Sequence, residues 1–263
     1  MPADEPVLLD IADGVAWLTL NRPDAGNAVS LALVESLHEA VLGCAADRTV
    51  RAVLLAGAGP RFCVGGDLAE FSKTGDGLAG HLRKVTTFLH AAISGLARLD
   101  APVVAAVQGS AAGAGMSLAC ACDVVVAAES SKFVMAYTRI GLSPDGSGTW
   151  FLPRLVGWRR AGELMLTNRT LTAAEARDWG IVTTVVPDGE VAGAASALAN
   201  DLAAGPTRAF GSVKRLLRLS ATESLETQLQ HETDEIATNA AGHDGSEGMK
   251  AFLEKRPPTY EGS

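Results

Sequence analysis

Two glycine-rich turns carry the clearest chemical signal in the sequence. They are Gly65-Gly66-Asp67 and Gly113-Ala114-Gly115, and each comes shortly after an apolar run typical of a buried strand. The small residues leave backbone N–H groups open to a ligand, and the first N–H groups of a helix lack internal partners and favour negative charge. Two such turns could direct two N–H groups at one carbonyl oxygen, an arrangement that stabilises a developing enolate or tetrahedral oxyanion.

The elements that position these turns are predicted to be strands of a sheet covered on both faces. Residues 50–56 precede the first turn and residues 103–107 precede the second, and Pro102 marks the start of the latter strand. After residue 107 the chain is expected to turn through small residues straight into a helix. Taken alone, residues 109–115 also fit a helix that packs tightly on a sheet without any ligand. The presence of a second, similar turn favours the ligand.

The remaining pattern predicts an α/β fold with a helical end. Residues 7–11 and 15–20 read as a hairpin around Asp13-Gly14, and Ser30 can cap a helix that ends by Asp47. Further expected elements are a mobile loop over the site at 73–80, helices at 81–99, 149–155, 159–166 and 173–179, and strands at 124–127 and 131–136. From residue 191 only helices are expected, at 191–204, 207–219, 223–241 and 245–254. We therefore divide the chain into a core, 1–190, and a C-terminal helical region, 191–263.

Composition narrows the class of protein. The chain has 263 residues, 48% of them hydrophobic, and a net charge of −8, so it can bury a large core and is a poor partner for nucleic acid or an anionic membrane. No apolar run reaches the ~20 residues that span a bilayer, and the acidic N-terminus lacks a signal-peptide pattern. We expect a cytoplasmic protein with four reduced cysteines and neither a metal site nor a dinucleotide-binding motif.

Four blocks of the sequence, in order, resemble the crotonase (enoyl-CoA hydratase/isomerase) superfamily. They are residues 20–29 (LNRPDAGNAV), 61–68 (RFCVGGDL), 101–115 (APVVAAVQGSAAGAG) and 248–257 (GMKAFLEKRP). The resemblance covers essentially the whole chain. It implies a spiral of ββα units, a C-terminal helical region that forms trimers or paired trimers (a homotrimer or homohexamer), and a coenzyme A thioester as the substrate, with no separate cofactor.

The resemblance also implies roles for individual residues. The N–H groups of Gly66 and Ala114 would form the oxyanion hole. The two glutamates with which the family's hydratases handle water are replaced here by Ser117 and Tyr137. Hydroxyl groups of ordinary acidity cannot replace a carboxylate base near neutral pH, so the resemblance disfavours standard hydration.

A carboxylate does occur at Asp145, within a Ser-Pro-Asp-Gly sequence. Relatives that resemble unsaturated or ring-opened phenylacetyl-CoA isomerases move a proton with an aspartate at this position. The same sequence also suits a turn in which Asp145 caps the next helix. His90 stands where aromatic acyl-CoA dehalogenases of the superfamily carry a histidine base, and those enzymes use the aspartate as a nucleophile. His90 could instead lie at the edge of a helix face, packed or solvated.

Substrate binding is assigned mostly by the first two blocks. The resemblance places Arg22 near the CoA phosphates and Val64, Asp67 and Leu68 beside the first oxyanion turn, with Ser117 and Tyr137 facing the acyl group. The leading expectation is an enoyl-CoA isomerase in which Asp145 transfers the proton. The alternatives are an enoyl-CoA hydratase, an aromatic acyl-CoA dehalogenase, and a non-catalytic acyl-CoA-binding protein.

Overall fold

The computed structural model describes residues 5–263, which fold into two β-sheets with helices packed around them. The strands are β1 (Val7–Ala12), β2 (Val15–Leu20), β3 (Ala52–Gly57), β4 (Val103–Val107), β5 (Ser110–Ala112), β6 (Val124–Ala128), β7 (Lys132–Val134), β8 (Leu171–Thr172) and β9 (Thr184–Val186). The helices are α1 (Leu31–Ala46), α2 (Leu68–Phe71), α3 (Leu78–Arg98), α4 (Ala114–Cys120), α5 (Gly148–Val156), α6 (Trp158–Thr167), α7 (Ala173–Asp178), α8 (Val191–Ala203), α9 (Thr207–Leu219), α10 (Leu225–Ala240) and α11 (His243–Glu254). The α/β prediction is confirmed.

The larger sheet has the strand order β1-β2-β3-β4-β6-β9. Only β1 and β2 pair antiparallel, as the predicted hairpin, and its turn residues Asp13 and Gly14 both have positive φ, 52° and 81°. That geometry is the one a two-residue hairpin turn requires. All five residues of β4 are buried, because this strand lies between β3 and β6 and is covered on both faces. The strand expected at residues 103–107 is therefore confirmed residue for residue.

The smaller sheet has the order β5-β7-β8 and corrects one expectation. The chain does not pass from β4 straight into a helix, because β5 intervenes and pairs in parallel with β7. A strand of the large sheet, a strand of the small sheet and a helix thus follow one another twice, as β4-β5-α4 and β6-β7-α5. This repetition is the predicted ββα unit. The short strands β8 and β9 were not expected, since two or three residues carry too little pattern.

Helices α1 and α3 pack on each other and cover one face of the large sheet. Ser30 caps α1 as predicted, with its hydroxyl accepting the N–H of Leu33 at 3.2 Å. The loop expected at residues 73–80 is shorter, because a single helical turn at Gly75–Gly77 leads directly into α3 at Leu78. The glycines at 75, 77 and 80 suggested a break, but Gly80 lies inside α3, where Leu82 and Val85 pack against the core.

Helix α8 covers the opposite face of the large sheet. Four residues at helical spacing, Val191, Ala195, Ala199 and Ala203, are buried against side chains of β2, β3, β4 and β6. They form a second core, separate from the one beneath α1 and α3. The helical region that starts at residue 191 therefore begins as part of the sheet's own packing.

The last helices, α9 to α11, lie beyond this second core. Arg51, just before β3, donates to the carbonyl oxygens of Tyr260 and Gly205 at 2.9 and 2.6 Å and to the hydroxyl of Thr207 at 3.2 Å. Lys214 on α9 forms an ion pair with Asp123 at 2.7 Å. These contacts attach the C-terminal helices to the core. Within residues 5–263, no helix has the length and apolar character needed to cross a membrane.

Candidate active site

The first glycine-rich turn lies between β3 and α2. The N–H of Val29 donates to the carbonyl of Gly65 at 2.7 Å, and the N–H of Asp67 donates to the carbonyl of Val29 at 3.0 Å. The N–H of Gly66, between these two bonds, has no acceptor within residues 5–263. Gly65 has φ of +95°, and a Cβ there would lie 2.9 Å from the carbonyl oxygen of Ala112, so only glycine suits this position.

The second turn begins α4. Gly113 precedes the helix with φ of +51°, and its N–H donates to the carbonyl of Val134 at 2.9 Å. Ala114 is the first helical residue, and its N–H likewise finds no acceptor in the described part of the chain. A first-turn N–H of this kind is expected to bind an external acceptor.

Backbone hydrogen bonds join the two turns to each other. Cys63 and Ala111 form an isolated parallel bridge, in which the Cys63 N–H donates to Ser110 at 3.0 Å and the Ala112 N–H donates to Cys63 at 2.9 Å. Gly115 packs so closely on this bridge that a Cβ would overlap the carbonyl oxygen of Cys63. Glycine at 115 therefore serves tight packing, while glycines at 65 and 113 serve backbone conformation. The packing interpretation of the small residues therefore holds at Gly115, and the ligand interpretation of the two turns stays a prediction.

Both turns face a single cleft of about 280 Å³. It is lined by Val29, Gly66, Leu68, Phe71, Ala79, Leu82, Arg83, Val85, Thr86, Ala114, Tyr137, Ile140, Leu142, Ser143 and Asp145. Most of these side chains are apolar, so the cleft suits an acyl chain with one polar end. The sequence reasoning missed Phe71, Leu82 and Val85 as lining residues. A helix was expected at 81–99, but the sequence did not show which of its side chains reach the cleft.

A chain of three hydrogen-bonded side chains lies at the end of this cleft. The hydroxyl of Tyr137 donates to Oδ1 of Asp145 at 2.5 Å and lies 3.2 Å from Oγ of the fully buried Ser117. Burial, and then the nearby Asp145 carboxylate, raise the pKa of Tyr137 far above its usual value. Tyr137 therefore stays protonated and acts as a donor. Tyr137 thus contacts both Ser117 and Asp145 and links the two side chains.

The carboxylate of Asp145 is not used as a helix cap. Its backbone carbonyl accepts the N–H of Gly148 at 3.0 Å, whereas α5 follows Ser147 without a capping side-chain bond. Within the described residues, the side chain accepts from Tyr137 alone. Within residues 5–263 the other carboxylate oxygen, Oδ2, accepts no hydrogen bond, and Asp145 lines the cleft. An unpartnered carboxylate oxygen in the cleft can act as a proton acceptor.

His90 reaches the same turn from α3. Its Nε2 accepts the N–H of Gly146, the residue after Asp145, at 3.2 Å. An Nε2 that accepts a hydrogen bond is unprotonated, so the ring proton sits on Nδ1. His90 is exposed and lines a wider, second cleft that Asp145 also borders. His90 therefore lies at the exposed edge of α3, as one expectation had it, and also near Asp145, as the other had it.

The other predicted binding residues surround the first turn. Arg22 forms an ion pair with Asp67 at 2.8 Å and donates to the carbonyl of Ala28 at 2.6 Å. Asp67 also accepts the N–H of Glu70 and so caps α2. Burial alone would raise the pKa of Asp67, but the Glu70 N–H and the Arg22 guanidinium lower it below its ordinary value. Arg22 and Asp67 thus stabilise the turn that carries Gly66 through contacts with each other and with the backbone.

Val64 and Leu68 differ in their relation to the cleft. Val64 packs beside Gly26 and is not among the lining side chains, whereas Leu68 lines the cleft with half of its surface exposed. The sequence reasoning overlooked Asn27, which is fully buried and donates to the carbonyls of Ala58, Arg61 and Phe62. A lone asparagine in a turn-rich stretch gave no signal of this anchoring.

Comparisons with known proteins identify the family. Residues 10–263 match the enoyl-CoA hydratase/isomerase family. The 1,2-epoxyphenylacetyl-CoA isomerase of Escherichia coli strain K12 is 41% identical over 98% of this chain and 99% of its own. The 4-chlorobenzoyl coenzyme A dehalogenase-2 of an Arthrobacter species is 35% identical over 96% of this chain and 92% of its own.

Solved structures give the same result. The crystal structure of an enoyl-CoA hydratase from Bacillus anthracis superposes with a TM-score of 0.92 at 33% identity, covering 98% of this chain and 100% of the other. The sequence matches extend over almost the full length of the chain, and the fold is shared with a solved member of the family. The chain belongs to the enoyl-CoA hydratase/isomerase family.

Proposed function

We propose that the protein is an isomerase that shifts the carbon–carbon double bond of an enoyl-CoA thioester. The observation that carries this proposal is the position of Asp145, whose carboxylate borders the same cleft as the Gly66 and Ala114 turns and is held by Tyr137. A relative that is 41% identical is named as an isomerase of an acyl-CoA. A base and two N–H donors in one apolar cleft are what enolate chemistry needs.

The reaction is a proton transfer within the substrate. The thioester carbonyl oxygen would accept hydrogen bonds from the N–H groups of Gly66 and Ala114. Asp145 would take a proton from the carbon next to the carbonyl, forming a dienolate whose negative charge the two N–H groups stabilise. The same proton would then return to the γ carbon and restore the carboxylate. This proton transfer would need no cofactor beyond the coenzyme A of the substrate.

Binding of the CoA moiety would involve Arg22. About a quarter of its side chain, 27%, is exposed despite its ion pair with Asp67, and the proposed phosphate contact would use that exposed part. Arg22 would also act indirectly, because it holds the turn that carries the Gly66 N–H.

Exchange of Asp145 for Asn tests the isomerase proposal. Asp145→Asn preserves size and can still accept from Tyr137, but it cannot take a proton, so turnover of a 3-enoyl-CoA should fall ~100- to 10,000-fold. Thioester affinity and melting temperature should stay near wild type. Unchanged turnover in a folded variant would disprove the role of Asp145, and fast hydration of crotonyl-CoA by wild type would instead favour a hydratase.

A dehalogenase is the second candidate, and the position of His90 in the same cleft as Asp145 favours it. The Gly146 N–H would have to release Nε2 of His90 before that nitrogen could act as a base. In that case Asp145 would attack a 4-halobenzoyl-CoA and displace halide, and His90 would activate water to hydrolyse the aryl ester. His90→Gln should then accumulate a covalent aryl-enzyme species detectable by mass spectrometry. Failure of wild type to release halide would remove this candidate.

We also propose that copies of the chain assemble as a trimer or a pair of trimers. Large apolar side chains on α9, α10 and α11 are exposed, including Leu217, Leu225, Ile236, Phe252 and Leu253, each by 68% or more. Apolar surface of this kind usually marks a protein interface. Light scattering coupled to size-exclusion chromatography should give three or six times the 27.1 kDa chain mass; a monomer would contradict the assembly.

A further inference from the structure

A second cleft, of about 660 Å³, lies on the other side of Asp145. It is lined by His90, Ile93, Ser94, Ala97, Arg98, Pro144, Asp145, Ser147, Thr149, Trp150, Phe151 and Arg218. One wall is the α3 helix from His90 to Arg98, a rise of about 12 Å. The cleft therefore extends along α3 from His90 and the candidate base Asp145 to Arg98.

The two ends of this cleft differ in charge. Asp145 and His90 lie at one end, and Arg98 and Arg218 lie at the other. Between them the wall is largely apolar, with Ile93, Ala97, Trp150 and Phe151. A chain of methylene groups suits the middle, and an anion suits the far end.

The two arginines lack carboxylate partners among the residues that the structure describes. Neighbouring cations are paired, since Arg215 contacts Asp100 and Glu235, and Lys214 contacts Asp123. Arg218 donates to the backbone carbonyl of Ala97 at 2.7 Å, and the Asp123 carboxylate that attracts it is already paired with Lys214. Burial, followed by repulsion from Arg98 and Arg215, lowers the pKa of Arg218 below its ordinary value. A bound anion would relieve this repulsion.

We propose that this second cleft binds the far end of a thioester whose acyl chain ends in a carboxylate, with Arg98 and Arg218 as the carboxylate site. The proposal rests on the isomerase function proposed above and specifies its substrate class as CoA esters of long α,ω-dicarboxylic acids. The acyl chain would pass Asp145 and run along α3. Guanidinium groups suit this role because they remain charged and bind carboxylates with well-defined geometry.

Binding of unreactive saturated esters tests the cleft separately from turnover. Calorimetry would compare decanedioyl-CoA with decanoyl-CoA, which differ only in the terminal group. Wild type should bind the decanedioyl ester ~10- to 100-fold more tightly, as expected for a hydrogen-bonded charge pair. Arg98→Gln and Arg218→Gln should each reduce that ratio by about 10-fold or more. Arg159→Gln, at an exposed arginine outside the cleft, should leave the ratio unchanged.

Chain length supplies a second measurement. Hexanedioyl-CoA is too short to reach Arg98 and should show no advantage over hexanoyl-CoA. Equal binding of the two decanoyl-type esters by wild type, or an unchanged ratio in both arginine variants, would overturn the proposal. Tight binding of free decanedioate would also overturn it, since the arginines would then form a separate anion site. A wild type that keeps the ratio without isomerising any 3-enoyl-CoA would disprove the isomerase function alone.

Discussion

The hydroxyl of Tyr137 donates a 2.5 Å hydrogen bond to Oδ1 of Asp145, eight residues later in the chain. The bond fixes the orientation of the carboxylate and leaves Oδ2 as the oxygen that can meet a substrate proton. Ser117, on α4, lies 3.2 Å from the same tyrosine hydroxyl. The carboxylate is therefore tied, through one side chain, to the helix whose first N–H is proposed to bind the substrate oxygen.

Removing the tyrosine hydroxyl should weaken catalysis more than binding. Tyr137→Phe keeps the ring but deletes a hydrogen bond to a charged group, which contributes ~1.5–3 kcal/mol. We expect kcat for a 3-enoyl-CoA to fall by about 10- to 100-fold, with KM within a few-fold of wild type. Ser117→Ala, which leaves the bond to Asp145 in place, should cost much less. A Tyr137→Phe variant with the kcat of wild type would show that Tyr137 acts only by packing.

The close approach of Gly115 to Cys63 predicts a specific sensitivity. Gly115→Ala must displace the bridge between the two turns, so it should destabilise the fold by ~1–3 kcal/mol and lower activity together with stability. Gly162 on α6 is the matched control, because a Cβ there meets no atom of residues 5–263 within 4 Å. Gly162→Ala should be neutral or stabilising by up to ~1 kcal/mol. Urea denaturation checks both, and a Gly115→Ala variant as stable as wild type would contradict the packing described.

Glu235 predicts how stability depends on acidity. Hydrogen bonds from Arg215, and then from Ser212, lower the pKa of Glu235 from its ordinary value of 4.5 to about 2. Because the folded-state pKa is depressed, this contribution to stability is complete above about pH 4.5 and is lost as the pH falls towards about 2. The melting temperature of Glu235→Gln should therefore fall less steeply than that of wild type across this window. Glu223→Gln is the control, because it removes one negative charge from an exposed position. Its melting temperature should fall with pH as steeply as that of wild type.

Sequence patterns predicted the parts of the molecule that depend on local chemistry. An unbroken apolar run predicted the β4 strand, and apolar residues at helical spacing after the Ser30 cap predicted α1. Burial and capping both require particular residue types at fixed positions, so they can be recognised in a sequence. The contact of Tyr137 with Asp145 was not visible, since nothing in the spacing shows which side chains converge. Gly115 was recognised as small, but its contact with Cys63 needed the fold.

The resemblance to the family placed residues that patterns alone could not. Asp145 was singled out in this way, and the structure adds that its side chain does not cap a helix. The sequence reasoning missed the ion pair of Arg22 with Asp67, because it assigned both residues to ligand binding. Their charges are complementary, but the two residues are 45 positions apart in the chain. Long-range pairing of this kind depends on how the strands are ordered.

The three bonds of Arg51 have a consequence for folding during synthesis. The protein is made from its N-terminus, and domains begin to fold as they emerge, yet the partners of Arg51 lie 154 to 209 residues later. Until they appear, the sheet face that α8 will cover is also open to water. The nascent chain thus passes through a stage with an apolar sheet surface and an unpartnered guanidinium, a state in which chaperone binding would be most useful.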